Sequence, residues 1–491
     1  MTLYSKLVLA ATLLAVNLTA QTMRPVIRGA DYAVSARTPQ TAQAAERIFR
    51  AGGNAFDAAV AAQAALSVTD PASNGVGADA FILVYDAKTR KVHSVNAAGT
   101  APKLATIEWY NQHSGGRIPI SDGLLSGTIP AVVDAWCVIL ERWGTKTLGE
   151  VLEPAIELAE RGFPLGERLA AGISGRERDS YLAVKGASVE LERGPLRGNR
   201  KLAKYPTSAK VYFPNGVPPR AGDVFKNPDL ARTLKKLVEA EKQNAGKGRA
   251  AALRAARDRF YKGDIARTMA EFSEANGGLF RYEDFASFAV KVEEPVSLNY
   301  RGYEVYKNPS ATQGPAELFT LNILGGLDLK AMGHNSADYV HAGVEAVKLA
   351  FADRELYLAD QDFVKIPFAG LLSEPYGARR RALIDMTRAS REFRPGRPEG
   401  AGEAGNWNFR IPLAGDDHEG DTSYVATVDR ERNAVSWTPS LHSGWGTGVI
   451  MADLGFIFNC RGDYFWLDPE HPNALVPGKR PRSTLTPTLV M

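Results

Sequence analysis

The chain has 491 residues, 45% hydrophobic and 23% charged. That balance supports a buried globular core and excludes collagen-like, coiled-coil and largely disordered chains. Lys and Arg number 59 against 55 Asp and Glu, a net charge of +4, too weak a field to argue for nucleic acid. Cys137 and Cys460 are too few for a disulfide scaffold or a Cys-rich zinc site, and leave one pairing open.

Residues 1–20 read as an address. Lys6 precedes an apolar run from Leu7 to Val16, and the segment ends at the small residue Ala20. This suits a secretory signal peptide, with an uncleaved N-terminal anchor as the alternative. The run is shorter than the ~20 residues of a spanning helix, and no later segment is long and apolar enough to cross a membrane. A periplasmic or secreted location is expected.

Thr38 and Pro39 open a helix as cap and first-turn residue, with an apolar stripe through Ala44, Ala45, Ile48 and Phe49. Gly52-Gly53 stops it, and Asn54 caps an Ala-rich helix to about Val68, suited to tight packing. Phe81–Tyr85 and Val92–Asn96 read as strands around a polar turn. Helical patterns follow over Ala131–Trp143, Leu148–Glu160, Pro228–Gln243, Ala250–Glu274 and Ser336–Ala359, with β-like pieces at Pro295–Tyr300 and Tyr303–Tyr306. Thr387–Glu419 is polar, Gly- and Pro-rich and aperiodic, the pattern of a mobile surface loop. Thr422–Val428 then reads as a strand, residues 429–433 as a turn, Ala434–Thr438 as its partner and Val449–Phe458 as another strand. If Val428 faces Ala434, Thr422 falls opposite Ser440. There is no internal repeat.

Gly75-Val76-Gly77-Ala78-Asp79-Ala80 fits the dinucleotide fingerprint, but a helix precedes it and a strand follows, the reverse of what that motif needs. Its glycines are expected to make a tight turn into a buried strand. Gly444–Gly448 lacks the Lys of a P-loop and reads as a backbone bend. The histidines do not cluster at metal spacing; His334 and His341 suit a solvated helix face. No metal site and no cofactor signature is found, and no G-x-S-x-G elbow. Thr422 remains. A Thr at a strand start usually reflects β-propensity. Cleavage between Asp421 and Thr422 would give it a free α-amine that can act as base for its own hydroxyl, with no His needed. The ordinary pKa of such an amine is about 7.7–8.0.

An ordered set of motifs carries a resemblance. It includes Ala-Gly-Gly-Asn-Ala-Phe-Asp-Ala-Ala-Val from Ala51, Asp70-Pro71-Ala72-Ser73-Asn74-Gly75-Val76-Gly77, Gly127-Thr128-Ile129-Pro130 and Phe351-Ala352-Asp353-Arg354. Gly420-Asp421-Thr422-Ser423, Gly446-Thr447-Gly448 and Lys479-Arg480-Pro481-Arg482-Ser483-Thr484 complete it. From about residue 25 to the end, the sequence resembles the gamma-glutamyltranspeptidase family. The resemblance implies an α+β fold, the four-layer αββα sandwich of N-terminal-nucleophile hydrolases. It further implies a precursor that cuts itself between Asp421 and Thr422 into a large (25–421) and a small (422–491) subunit region. Thr422 would then pass an acyl group from a small amide to water or an amine.

Departures accompany the matches. Ala98 stands where the family places a substrate-carboxylate Arg. Ser440 and His442 stand where Thr and Asn are usual, and Tyr464, beside Asp463, replaces an Asp that holds the substrate's amino group. Arg461 stands where a neutral or acidic residue is common, and is a candidate to supply the missing positive charge. Ser483 and Thr484 keep the paired hydroxyls. The expected substrate-binding set is therefore Ser440, His442, Arg461, Asp463, Ser483 and Thr484. Ser440 and His442 also fit as strand-end residues, and Asp463 as a turn cap. The chain ends at Met491, before the Gly-Gly pair that forms the family's oxyanion hole. The expected activity is γ-glutamyl transfer or hydrolysis. The alternatives are an acylase of the same fold with a different amide substrate, and an inactive truncated homologue.

Overall fold

The structure, a computed structural model, describes residues 28–175, 198–402 and 420–491. The expected signal segment lies outside these residues, as does 403–419 of the expected loop; residues 387–402 carry neither helix nor strand.

The main sheet has six antiparallel strands. They are β1 (Ala33–Ala36), β2 (Asp79–Asp86), β3 (Lys91–Ala97), β4 (Lys291–Glu293), β8 (Val425–Val428) and β9 (Ala434–Ser440), in the order β1-β8-β9-β2-β3-β4. A second sheet contains β5 (Val296–Tyr300), β6 (Tyr303–Lys307) and β11 (Leu489–Val490), in the order β11-β6-β5. The short strands β7 (Gly420–Asp421) and β10 (His442–Ser443) pair with each other.

Helices α1 (Pro39–Arg50) and α2 (Ala55–Thr69) begin at their expected caps. Thr38 accepts from the Thr41 amide, and Asn54 and Asp57 form a reciprocal capping box. Every residue of α2 is buried. Its many small alanine side chains let the backbone lie close to β8 and β9. Asp429 and Thr427 fix that approach. The Ala55 amide donates to Asp429 Oδ2 at 3.0 Å, and Thr427 Oγ1 donates to the Ala55 carbonyl at 2.8 Å. Helices α3 (Val132–Arg142), α4 (Leu148–Arg161), α5 (Pro228–Asn244), α6 (Arg249–Tyr261) and α7 (Asp264–Ala275) extend this core. On the far side α8 (Pro315–Leu324) lies on β5 and β6 and packs against α9 (Ala337–Tyr357). The result is the expected helix–sheet–sheet–helix stack.

Two expectations change. The single helix over Ala250–Glu274 is two, broken at Gly263, where a Cβ would come within 2.5 Å of the Arg259 carbonyl oxygen. Val449–Phe458 is not a strand. Ile450 bridges Ile457 around a turn with positive φ at Ala452 and Gly455. Cys137 and Cys460 are both free and buried, so the open pairing is not formed.

Candidate active site

The β8–β9 register pairs Val428 with Ala434, and it extends past the paired strands. The Ser423 amide donates to the Pro439 carbonyl at 3.1 Å, and Thr422 meets Ser440. Thr422 is exposed, whereas Ser440 is fully buried. Ser440 Oγ is a junction. It accepts from Thr422 Oγ1 at 3.5 Å and from the His442 amide at 2.7 Å, and it donates to the Asp421 carbonyl oxygen at 2.8 Å. The nucleophile candidate and the carbonyl of the bond before it thus share one hydroxyl.

A second cluster grips the same peptide from the other side. Arg37, between β1 and α1, directs Nη1 to the Thr422 carbonyl at 2.9 Å, to Ser73 Oγ at 2.9 Å and to Asp421 Oδ1 at 3.3 Å. The same nitrogen lies 3.3 Å from Asp70 Oδ2. Ser73 Oγ donates to Asp421 Oδ2 at 2.6 Å, and the Thr422 amide donates to Asp421 Oδ1 at 2.9 Å. Ser423 donates to Asp70. Burial pushes the Asp70 carboxyl up, against the pull of the Arg37 guanidinium. Sequence reasoning missed Arg37, Asp70 and Ser73. The signal within reach was the Asp70–Gly77 motif, which carries two of the three.

The expected substrate residues divide. His442, at φ +85, points Nε2 at Asp463 Oδ1 across 2.7 Å, and its ring lies 4.1 Å from that of Tyr464. Asp463 Oδ2 accepts from the Ser121 amide at 2.9 Å. Tyr464 OH meets Thr484 Oγ1 at 3.1 Å, whereas Ser483 Oγ turns to the Leu485 amide at 3.1 Å. Arg461 is fully buried, and Nε and Nη2 each donate to Asp79 at 3.0 Å. Its charge is therefore met from within the protein. Ala98, where the resemblance leads one to expect a carboxylate-binding Arg, lies in an apolar cluster with Phe81, Ala311 and Leu485.

Among the described residues, donor atoms of His442, Cys460 and Asp463 lie within 4.8 Å of one another, close enough to meet one metal ion. Burial pushes the Cys460 thiol up to about 12, so it is a neutral thiol in this arrangement. The Gly75 to Ala80 turn behaves as expected. Gly77 passes so close to Ile457 that a Cβ would lie 2.1 Å from its carbonyl oxygen. Gly444–Gly448 is a bend, with Lys201 Nζ donating to the Gly444 and Gly446 carbonyls at 2.9 and 2.7 Å.

Residues 41–491 match the family model described as Gamma-glutamyltranspeptidase. The chain belongs to the gamma-glutamyltranspeptidase family. It is 31% identical to the "Glutathione hydrolase proenzyme" of Bacillus subtilis (strain 168), over 94% of this chain and 73% of that protein. It is 34% identical to the "Glutathione hydrolase-like YwrD proenzyme" of the same organism, over 91% and 74% of the two chains. The crystal structure of cephalosporin acylase from Bacillus halodurans superposes with a TM-score of 0.77 at 30% identity, covering 96% of this chain and 78% of that one. Membership makes the chain an amide-directed hydrolase or transferase with the N-terminal-nucleophile fold. Among the described residues no helix is long and apolar enough to cross a membrane.

Proposed function

We propose that this chain is an exported precursor that cleaves itself between Asp421 and Thr422, and that the bared Thr422 then transfers acyl groups from small amides to water or an amine. The Ser440 junction supports this reading above all. As Thr422 Oγ1 attacks the Asp421 carbonyl carbon, its proton passes toward Ser440 Oγ, whose own proton already lies against the oxygen that gains charge. The tetrahedral intermediate collapses by breaking the C–N bond, with a proton moving to the Thr422 nitrogen. Water then hydrolyses the ester, leaving the Asp421 carboxylate and a free Thr422 amine. That amine is the base for every later turnover. Residues 25–421 belong to the large subunit, the small subunit begins at Thr422, and the pattern of residues 1–20 supports export.

The acyl group is better matched by a non-glutamyl amide than by an unmodified γ-glutamyl group. At Ala98 the carboxylate clamp is replaced by an apolar wall. At Tyr464 the amino-group partner is replaced by a phenol bound to Thr484.

A denaturing gel tests the first step. Wild-type protein resolves into two fragments on incubation and Thr422→Ala stays intact; an intact wild-type chain would refute self-processing. A panel of glutathione, a γ-glutamyl anilide and unrelated acyl anilides tests the second. Faster turnover of the γ-glutamyl compounds would refute the non-glutamyl assignment.

A further inference from the structure

We infer that His442, Cys460 and Asp463 form a binding site for one thiophilic divalent cation of the zinc class, and that its occupancy slows the Thr422 centre. The second half rests on the reading of Thr422 as nucleophile; the first does not.

Two local features bring the donors together. Cys460 and Asp463 stand three residues apart at the turn Arg461–Tyr464, and the Asp463 amide donates to the Cys460 carbonyl at 3.3 Å. Ligand pairs in zinc-binding turns use the same short spacing. His442 comes from β10. Its φ of +85 lies in the left-handed region that side chains rarely adopt, and its Nε2 points at Asp463 Oδ1 across 2.7 Å. No two of the three donor atoms are more than 4.8 Å apart. The side chains of His442 and Asp463 are closed to solvent, and Cys460 is fully buried.

The donor chemistry selects the ion. Imidazole, thiolate and one carboxylate suit zinc or its substitute cobalt, whereas magnesium and calcium take oxygen ligands. Charge decides whether a dication can sit in a closed site. A thiolate and a carboxylate together cancel it, and the neighbouring Arg461 cation is already met by Asp79. On binding, Cys460 releases its proton to water as the sulfur–metal bond forms, and His442 binds through Nε2 with its proton on Nδ1. Asp463 Oδ2 stays with the Ser121 amide at 2.9 Å, which orients the carboxylate while Oδ1 meets the metal. Water fills the fourth position.

Occupancy has to move His442. Ligand atoms around one tetrahedral zinc sit roughly 3.3–3.6 Å apart, given metal–ligand bonds of about 2.0–2.3 Å. The 2.7 Å contact between His442 and Asp463 must therefore open. The His442 amide donates to Ser440 Oγ at 2.7 Å, and His442 pairs with Asp421 across β10 and β7. A displaced His442 thus disturbs the hydroxyl that touches both Thr422 Oγ1 and the Asp421 carbonyl.

The test loads the whole chain with cobalt. Because the donors are closed to solvent, loading is done both by titrating metal-free folded protein and by expression in cobalt-supplemented medium. One equivalent should give a thiolate-to-cobalt charge-transfer band with the strong visible bands of a tetrahedral ion, and zinc should displace it. Cys460→Ala and the near-isosteric Cys460→Ser should both lose the charge-transfer band. Cys137, also free and buried, supplies the control: Cys137→Ala keeps the band. Loss of an outer partner already costs about 10–100-fold in metal affinity, so His442→Asn should cost about 10²-fold or more. No band by either route, or a band that survives both Cys460 variants, overturns the site. Zinc-loaded wild type should self-cleave about tenfold or more slower than chelator-treated protein, a part of the ~10²–10³ that losing one oxyanion donor costs. Cys460→Ala should cleave at the same rate with and without zinc. Equal rates for loaded and metal-free wild type overturn the inhibitory half. A chain that shows the band yet stays uncleaved when metal-free upholds the site and refutes the reading of Thr422 instead.

Discussion

Ser440 Oγ donates to the carbonyl oxygen of Asp421 at 2.8 Å. It also accepts the hydroxyl of Thr422 at 3.5 Å. In the proposed self-cleavage, a buried hydroxyl at this point stabilises charge on the carbonyl that Thr422 attacks. Ser440→Ala should slow self-cleavage by about 10²–10³-fold, the usual cost of losing one oxyanion donor. Ser440→Thr should retain most of the rate. A gel time course reads both, and unaltered cleavage in Ser440→Ala would show that the junction is only a strand-end contact.

The Asp79–Arg461 pair is fully buried, and each charge answers the other. Asp79→Asn strands the Arg461 cation and should cost about 3–5 kcal/mol. The double variant Asp79→Leu/Arg461→Met should recover most of that loss. Urea unfolding of the wild type and the two variants checks it.

Burial pushes the Glu293 carboxyl up to about 7, outweighing a 3.5 Å contact from Asn96 and the nearby charges of Arg480 and Lys291. An acid whose folded pKa exceeds its unfolded value of 4.5 stabilises the fold below 4.5, and that contribution is lost as pH rises through 7. Glu293→Gln should therefore raise stability at pH 8 by roughly 1–3 kcal/mol and change little at pH 4. Chemical denaturation at the two pH values checks the sign.

Gly77 lies against the Ile457 carbonyl, and the Asn459 amide donates to Gly77 at 3.0 Å, which locates the segment leading to Arg461. Gly77→Ala should destabilise by about 1–3 kcal/mol, as overpacking does, with thermal melting as the readout.

Local signals were legible where the chemistry is local. Thr38 and Asn54 announce helix starts because their side chains satisfy nearby amides. The 429–433 turn fixes a register that carries Thr422 to Ser440. The break at Gly263 was hidden because apolar spacing continues on both sides of it. Val449–Phe458 has strand composition but folds back on itself through Ala452 and Gly455. Arg37 and Ser73 meet Asp421, and Asp70 meets Ser423, from more than three hundred residues away, and no spacing rule reaches that far. Arg461 looked like a candidate substrate ligand because its partner, Asp79, lies in a motif read for its glycines.

The most direct test is the intact mass and N-terminal sequence of the small fragment formed by purified precursor on incubation. The account predicts a fragment whose first residue is Thr422, with no residual Asp421. A fragment beginning elsewhere, or the same fragment released from Thr422→Ala, would contradict it.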